Sequence, residues 1–188
     1  MSIRRDRRHD DPSDADLVRG LKRKHPIAQR LFVEQYQHVV FGLCLRMLGH
    51  RQDAEDVAQD SLIRALSGVH GFDGNRPLRP WILRIAANRC RTALANRRRR
   101  PALLEVPESI VDHRRPRFDS DGLAGELDRA IARLKPKLRL AFTLFEEQGL
   151  PYEEIAVVMK CPLGSVKTWI HRARARLATD LTRRGVRC

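Results

Sequence analysis

Apolar residues recur along this chain at intervals of three and four rather than two, and proline and glycine fall between the periodic stretches instead of inside them. That spacing puts apolar side chains on one face of a helix and predicts an all-α fold with almost no strand. From Asp14 the pattern predicts helices over 14–23, 26–48, 52–69 and 77–98, ending where Arg97 to Arg100 run into Pro101. Residues 101–122, PALLEVPESIVDHRRPRFDSDG, hold three prolines and no sustained period, which predicts a flexible linker. A second periodic unit follows. Leu123, Leu127, Ala130, Ile131 and Leu134 form one stripe, and Leu138, Ala141, Phe142 and Phe145 form another; short helices over 151–160 and 162–181 complete it. The expected organisation is two small helical domains, 14–100 and 123–184, tethered by the linker and preceded by a disordered basic N-terminus at 1–13.

The second unit carries the sharper pattern. In YEEIAVVMKCPLGSVKTWIHRARARL a short helix holding Ile155, Ala156 and Met159 breaks at Lys160 to Pro162 and restarts with Val166, Ile170, Ala173 and Leu177 facing inward. This is helix-turn-helix spacing. Pro162 suits the first turn of the restarting helix, and Gly164 and Ser165 leave its N-terminus open to a phosphate. The outward positions are Lys167, Thr168, His171, Arg172 and Arg174, whose side chains donate to guanine edges or to phosphates. A solvated basic surface would show the same residues. The three-residue turn, the open helix start and the basic outer face together favour DNA reading. Trp169 flanks the inner stripe and is expected to be boundary packing.

Charge narrows the partner. Lys and Arg number 37 against 23 Asp and Glu, a formal net charge of +14, which points to a polyanion, either nucleic acid or an anionic membrane. No apolar run is long enough to span a bilayer, and the Arg-rich start has no apolar signal core behind it and carries Asp6, Asp10 and Asp11. A soluble, cytoplasmic protein is expected. Cys44, Cys90, Cys161 and Cys188 lie far apart with no ligand spacing, so reduced thiols are expected and neither a metal site nor a cofactor is indicated.

The first unit holds two further blocks. In DAEDVAQDSLIRAL, residues 53–66, Asp53 is a candidate N-cap with Asp56 three residues on, and Ala54, Val57, Ala58, Leu62, Ala65 and Leu66 make a buried stripe. Asp56, Asp60 and Ile63 share another row, an acidic patch around an exposed aliphatic that suits protein docking. In PWILRIAANRCRTALANRRRR, Trp81, Arg84, Asn88 and Arg91 align on one side and Ile82, Ile85, Ala86 and Ala93 on another. The first side could lie on a nucleic-acid backbone. The Gly-rich connector GVHGFDGNRP, with Phe72 and Asn75, could shape a pocket or be an ordinary loop.

DAEDVAQDSLIRAL, PWILRIAANRC, a linker, then GLPYEEIAVVMKCPLGSVKTWIHRARARL stand in an order that resembles the sigma-70 family of RNA polymerase sigma factors, in its extracytoplasmic function (ECF) group. The resemblance runs over roughly residues 14–182. It implies a non-enzymatic factor that gives RNA polymerase core its promoter recognition. The helix at 53–66 would dock on the clamp of the largest subunit through Asp56, Gln59, Asp60 and Ile63. The loop at 67–76, with Phe72 and Asn75, would hold a base flipped from the promoter −10 element, and the next helix would contact that element through Trp81, Arg84, Asn88, Arg91 and Thr92. The second domain would read the −35 element through Ser165, Lys167, Thr168, His171, Arg172 and Arg174. Implied partners are the polymerase clamp and flap, promoter DNA and, as in many members, an anti-sigma factor. Four positions depart from the family: Pro80 replaces a hydroxyl residue before the Trp, Lys160-Cys161 replaces Gly-Ile in the turn, and Trp169 stands where Arg is frequent.

Two other classes are weighed. A dimeric helix-turn-helix regulator would explain residues 150–178 and leave the first unit unexplained. A nuclease or recombinase could use Asp53, Glu55, Asp56 and Asp60 as metal ligands, but their spacing suits a polar helix face and no nucleophile context accompanies them.

Overall fold

The structure, a computed structural model, describes residues 13–99 and 123–184. Within them the chain forms eight α-helices: α1 (Asp14–Lys22), α2 (Pro26–Leu48), α3 (Arg51–Gly68), α4 (Leu78–Arg99), α5 (Leu123–Arg133), α6 (Pro136–Phe142), α7 (Tyr152–Met159) and α8 (Leu163–Arg183). A single 3₁₀ turn, Val69–Gly71, follows α3, and a π-helical turn, Thr143–Glu147, continues α6. The linker and the basic N-terminal residues 1–12 lie outside the described residues.

Local chemistry accounts for most of the helix ends. Ser13 caps α1, its hydroxyl accepting from the Asp16 amide at 3.2 Å. Pro26 opens α2, and Gly49, at φ 71°, closes it in the left-handed conformation with its N–H on Leu45 O. Helix α3 starts two residues before Asp53: His50 is its N-cap, with Nδ1 accepting from the Asp53 amide, so Asp53 sits in the acidic first turn instead of capping. The amide of Leu78 at the start of α4 donates to Asp14 Oδ2 at 3.3 Å, so α1 supplies an acceptor to a helix 64 residues away.

Helix α2 is the axis of the first part. It packs against α1, α3 and α4, and its lack of a single apolar face follows from being covered on several sides. Phe32, Leu43, Met47, Leu78, Ile82 and Leu83 are buried at its centre. Gly20 allows α1 to cross α2 closely: a Cβ there would stand 2.6 Å from Ala28 Cβ.

In the second part, α5 and the C-terminal half of α8 enclose a small core of Ala130, Ile131, Leu134, Phe142, Ala173, Leu177 and Leu181. The N-terminal half of α8 belongs elsewhere. Val166 and Ile170, with Leu140, Leu144, Ile155 and Val158, are continuous with the buried cluster of the first part. A tether alone would leave the two parts independent, but here α4 packs against α7 and the end of α2 packs against α5 and α6. The physical reason is a shared apolar surface that neither part covers alone.

Candidate nucleic-acid interface

Helix α7 ends at Lys160, which takes the left-handed conformation at φ 53° and returns its N–H to Ala156 O. This is the place in the turn where glycine costs least, and lysine holds it here at a conformational cost. Pro162 is the N-cap of α8, one residue earlier than first-turn placement, and no side chain caps that helix. By helix geometry the first amides, at Leu163 and Gly164, have no intrahelical acceptor. Val166, Ile170, Ala173 and Leu177 are buried, and Lys167, Thr168, His171 and Arg172 are exposed on the other side; Ser165 is half-buried. Thr168 Oγ1 donates to Gly164 O at 2.8 Å, which leaves its lone pairs outward as acceptors.

Two residues of this helix prove to have packing partners. Arg174 donates through Nε and Nη2 to Glu146 Oε1 at 2.9 and 2.6 Å, and its guanidinium lies 5.2 Å from the centroid of Phe145, which itself stacks on Tyr152 at 4.9 Å. Arg174 therefore ties α8 to the π-helical turn. Trp169 packs against the core, with Lys137 Nζ 5.9 Å from its ring centroid, so it is boundary packing as its spacing suggests.

The first part presents a different surface. Phe72 is buried, tilted against Trp81 with ring centroids 4.8 Å apart, and its carbonyl accepts from Lys22 Nζ at 2.9 Å. Phe72 is thus a plug that fixes the loop on α1 and α4, not an exposed reader. Asn75 is exposed in a turn closed by its own amide on Asp73 Oδ1 at 3.1 Å. Pro80 is the third residue of α4, where a missing N–H breaks no helical bond. Along α4, Trp81, Arg84 and Asn88 are half-buried, while Arg91 and Thr92 are exposed; Arg91 donates to Asn88 Oδ1, and Thr92 Oγ1 to Asn88 O at 3.1 Å.

A cavity of about 340 Å³ opens between the loop and α4, lined by Phe72, Arg76, Trp81 and Arg84, and by Glu154 and Val157 of α7. Burial raises the Glu154 carboxyl above the ordinary range, and the positive charge of Arg79 opposes that shift. Burial raises the thiol of Cys161, in the turn, and the positive charge of Arg91 opposes that shift.

On α3, Asp56 and Gln59 are exposed and Ile63 is 62% exposed, an aliphatic left in water beside carboxylates. Asp60 is engaged. Its carboxylate accepts from Arg64 Nε at 2.9 Å and pairs with Arg89 of α4, and these partners hold it below the usual carboxylate range against the effect of desolvation. Cys44 and Cys90 are buried with Sγ atoms 3.6 Å apart, and that contact together with burial pushes the Cys44 thiol up.

A third group of charges had no signal in the spacing of the sequence. Arg46, at the end of α2, pairs with Asp128 of α5 at 2.5 Å and with Glu147 at 2.7 Å. Arg139 of α6 donates to Met47 O at 3.0 Å and Leu134 O at 3.2 Å. Arg79 of α4 donates to Gln148 Oε1 at 3.2 Å. All three connect, or help to connect, the two halves of the chain.

This arrangement, a helix-turn-helix with an exposed basic row beside a helical bundle with an arginine- and tryptophan-lined face, defines the class of helix-turn-helix proteins suited to DNA binding. Residues 32–100 match the family described as Sigma-70 region 2 and residues 124–177 match Sigma-70, region 4. The RNA polymerase sigma-H factor of Pseudomonas aeruginosa is 36% identical over 173 residues, which is 86% of this chain and 90% of that protein. The ECF RNA polymerase sigma-E factor of Escherichia coli K12 is 35% identical over 178 residues, 86% of this chain and 91% of its own. Among solved structures, CnrH in complex with the cytosolic domain of CnrY is similar with a TM-score of 0.69 at 25% identity, over 90% of this chain and 97% of that one. The chain belongs to the sigma-70 family, in its ECF group. It is a non-enzymatic sigma factor that directs RNA polymerase core to promoters, its region 2 serving the −10 and its region 4 the −35 element.

Proposed function

We propose a division of labour among the residues of the two regions. On α8, Lys167, Thr168 and His171 contact base edges of the −35 element in the major groove, and Ser165 and Arg172 hold phosphates on either side. Arg174 supports that helix through Glu146 and Phe145. On the first part, Asn75 and the cavity over Phe72 and Trp81 receive an unstacked −10 base, while Arg84, Asn88, Arg91 and Thr92 follow the strand. Asp56, Gln59 and Ile63 dock on the polymerase clamp, and Asp60 holds α3 to α4 beneath them.

The observation that carries this reading is the row Lys167, Thr168, His171 and Arg172, exposed along a helix whose opposite row is wholly buried. Such a row is rigidly presented, which base readout requires. Because polymerase and chromosome share the bacterial cytoplasm, the protein acts there. An anti-sigma protein that covers these surfaces is a further partner, as the family resemblance implies.

The test is footprinting with reconstituted holoenzyme. The Lys167→Ala and His171→Ala variants should each lose −35 protection while binding core as the wild type does; loss of core binding in either would overturn the assignment of α8.

A further inference from the structure

Along the edge of α8 a second row runs beside the one assigned to base reading. Ser165, Trp169, Arg172 and Arg176 recur at intervals of four, three and four, which places them above one another on a single helix face. Ser165 and Trp169 are half-buried, and Arg172 and Arg176 are exposed. Ser165 offers a hydroxyl and the two arginines offer guanidinium groups to a phosphate, and Trp169 interrupts the run with a ring.

The gap is filled from another helix. Lys137, in the first turn of α6, is exposed, and its Nζ stands 5.9 Å from the centroid of the Trp169 ring, within cation–π reach. The first turn of α6 holds no carboxylate, and no carboxylate among the described residues pairs with Lys137. An ammonium held against one side of a ring keeps donors for an oxyanion on its other side. The ring is itself held, because Trp169 packs against the buried core. A lysine on a free stem loses rotamer freedom when it grips a phosphate, whereas the ring has already restrained Lys137.

We infer that Lys137 is a phosphate-binding residue for the −35 duplex and that Trp169 is its positioning residue, so that Ser165, Lys137, Arg172 and Arg176 follow one strand along the edge of α8. The inference rests on the reading of α8 as the −35 helix. Lys137 has no part in choosing sequence, because phosphates are alike along a duplex. It sets affinity and register, while Lys167, Thr168 and His171 set the sequence.

The test measures the affinity of the full chain, by fluorescence anisotropy over a range of salt, for a −35 duplex cut from the promoter region that reconstituted holoenzyme protects. Loss of one phosphate contact should lower the slope of log affinity against log salt by about 0.9 and weaken binding about five- to tenfold at about 0.1 M salt. Lys137→Ala should show both effects and Lys137→Arg neither, and the loss should be the same on a duplex whose −35 element is scrambled. Trp169→Leu keeps an apolar side chain without a ring face; it should cost about two- to fivefold, and in its background Lys137→Ala should cost less than it does alone. Trp169→Phe, with a weaker π face, takes its place should Trp169→Leu not fold. An unchanged slope for Lys137→Ala, or a loss confined to the −35 sequence, would overturn the phosphate contact. Additive losses in the double variant would overturn the positioning role of Trp169. Lys167→Ala with His171→Ala, in the same titration, separates the two levels. If that pair weakens binding while Lys137→Ala does not, only the role of Lys137 falls; if the pair leaves binding intact, the reading of α8 falls, and the role of Lys137 with it.

Discussion

The two DNA-reading faces of this sigma factor are built from the same element, a basic amphipathic helix, and differ in how much of it packs. Helix α8 is covered along one side, by α5, α6 and α7, and its Lys167–Arg172 row stands free. Helix α4 is covered on two sides, by α2 and α3 and again by α7, so that Trp81, Arg84 and Asn88 are half-buried. The lesson is that charge and spacing set the chemistry a helix can present, whereas its packing partners set how much of that chemistry faces water. One packed side leaves the row of α8 exposed; two packed sides leave the row of α4 half-buried.

The contrast can be broken or sharpened by substitution. The largest effect is expected on the open face. Lys167→Ala combined with His171→Ala removes two base contacts worth roughly 1–3 kcal/mol each, so affinity for a −35 duplex should fall at least tenfold, equally in free protein and in holoenzyme, as measured by electrophoretic mobility shift. A fall confined to the holoenzyme would show that exposure alone does not admit α8 to DNA.

On the covered face, Asn88→Ala should act only after polymerase binds. Permanganate reactivity of the promoter bubble should drop about tenfold, the loss of one contact of a few kcal/mol at most, with −35 protection unchanged. Equal loss of −35 protection would dissolve the distinction between the faces. Asp60→Arg with Ile63→Ala tests what sits outside both: it inverts the charge that Arg64 and Arg89 grip and removes the exposed aliphatic. Core binding in a pull-down should fall several-fold while −35 duplex binding by the free protein persists.

The smallest effect concerns the turn that joins cover to reader. Lys160 holds a positive φ of 53°, and Lys160→Gly relieves that strain at the expense of a more flexible unfolded chain, a net gain of about 0.5–1 kcal/mol in thermal unfolding. The gain should leave −35 affinity unchanged, because Lys160 precedes the reading row.

Much of this molecule was legible from the chain alone, and the reason is locality. The helices over 26–48 and 77–98, the helix-turn-helix and the buried row Val166, Ile170, Ala173 and Leu177 depend on periodicity within one element and on turn residues a few positions away. The exposed Lys167, Thr168, His171 and Arg172 follow from the same period. Where local reading fell short, a partner it did not weigh had intervened, three residues away for Asp53 and much farther for Phe72 and Arg174. Asp53 yielded the cap of α3 to His50, Phe72 was drawn inward by Trp81 and Lys22, and Arg174 was taken up by Glu146 and Phe145.

What the amino-acid sequence by itself determined is therefore the set of helices, their family and the two basic rows proposed to read DNA. What only the tertiary structure decided is which of those rows is free. Arg46 and Asp128 are 82 positions apart and Arg79 and Gln148 are 69 apart, and no spacing rule links them. Such pairs exist because two apolar surfaces met, and burial then made their charges find one another.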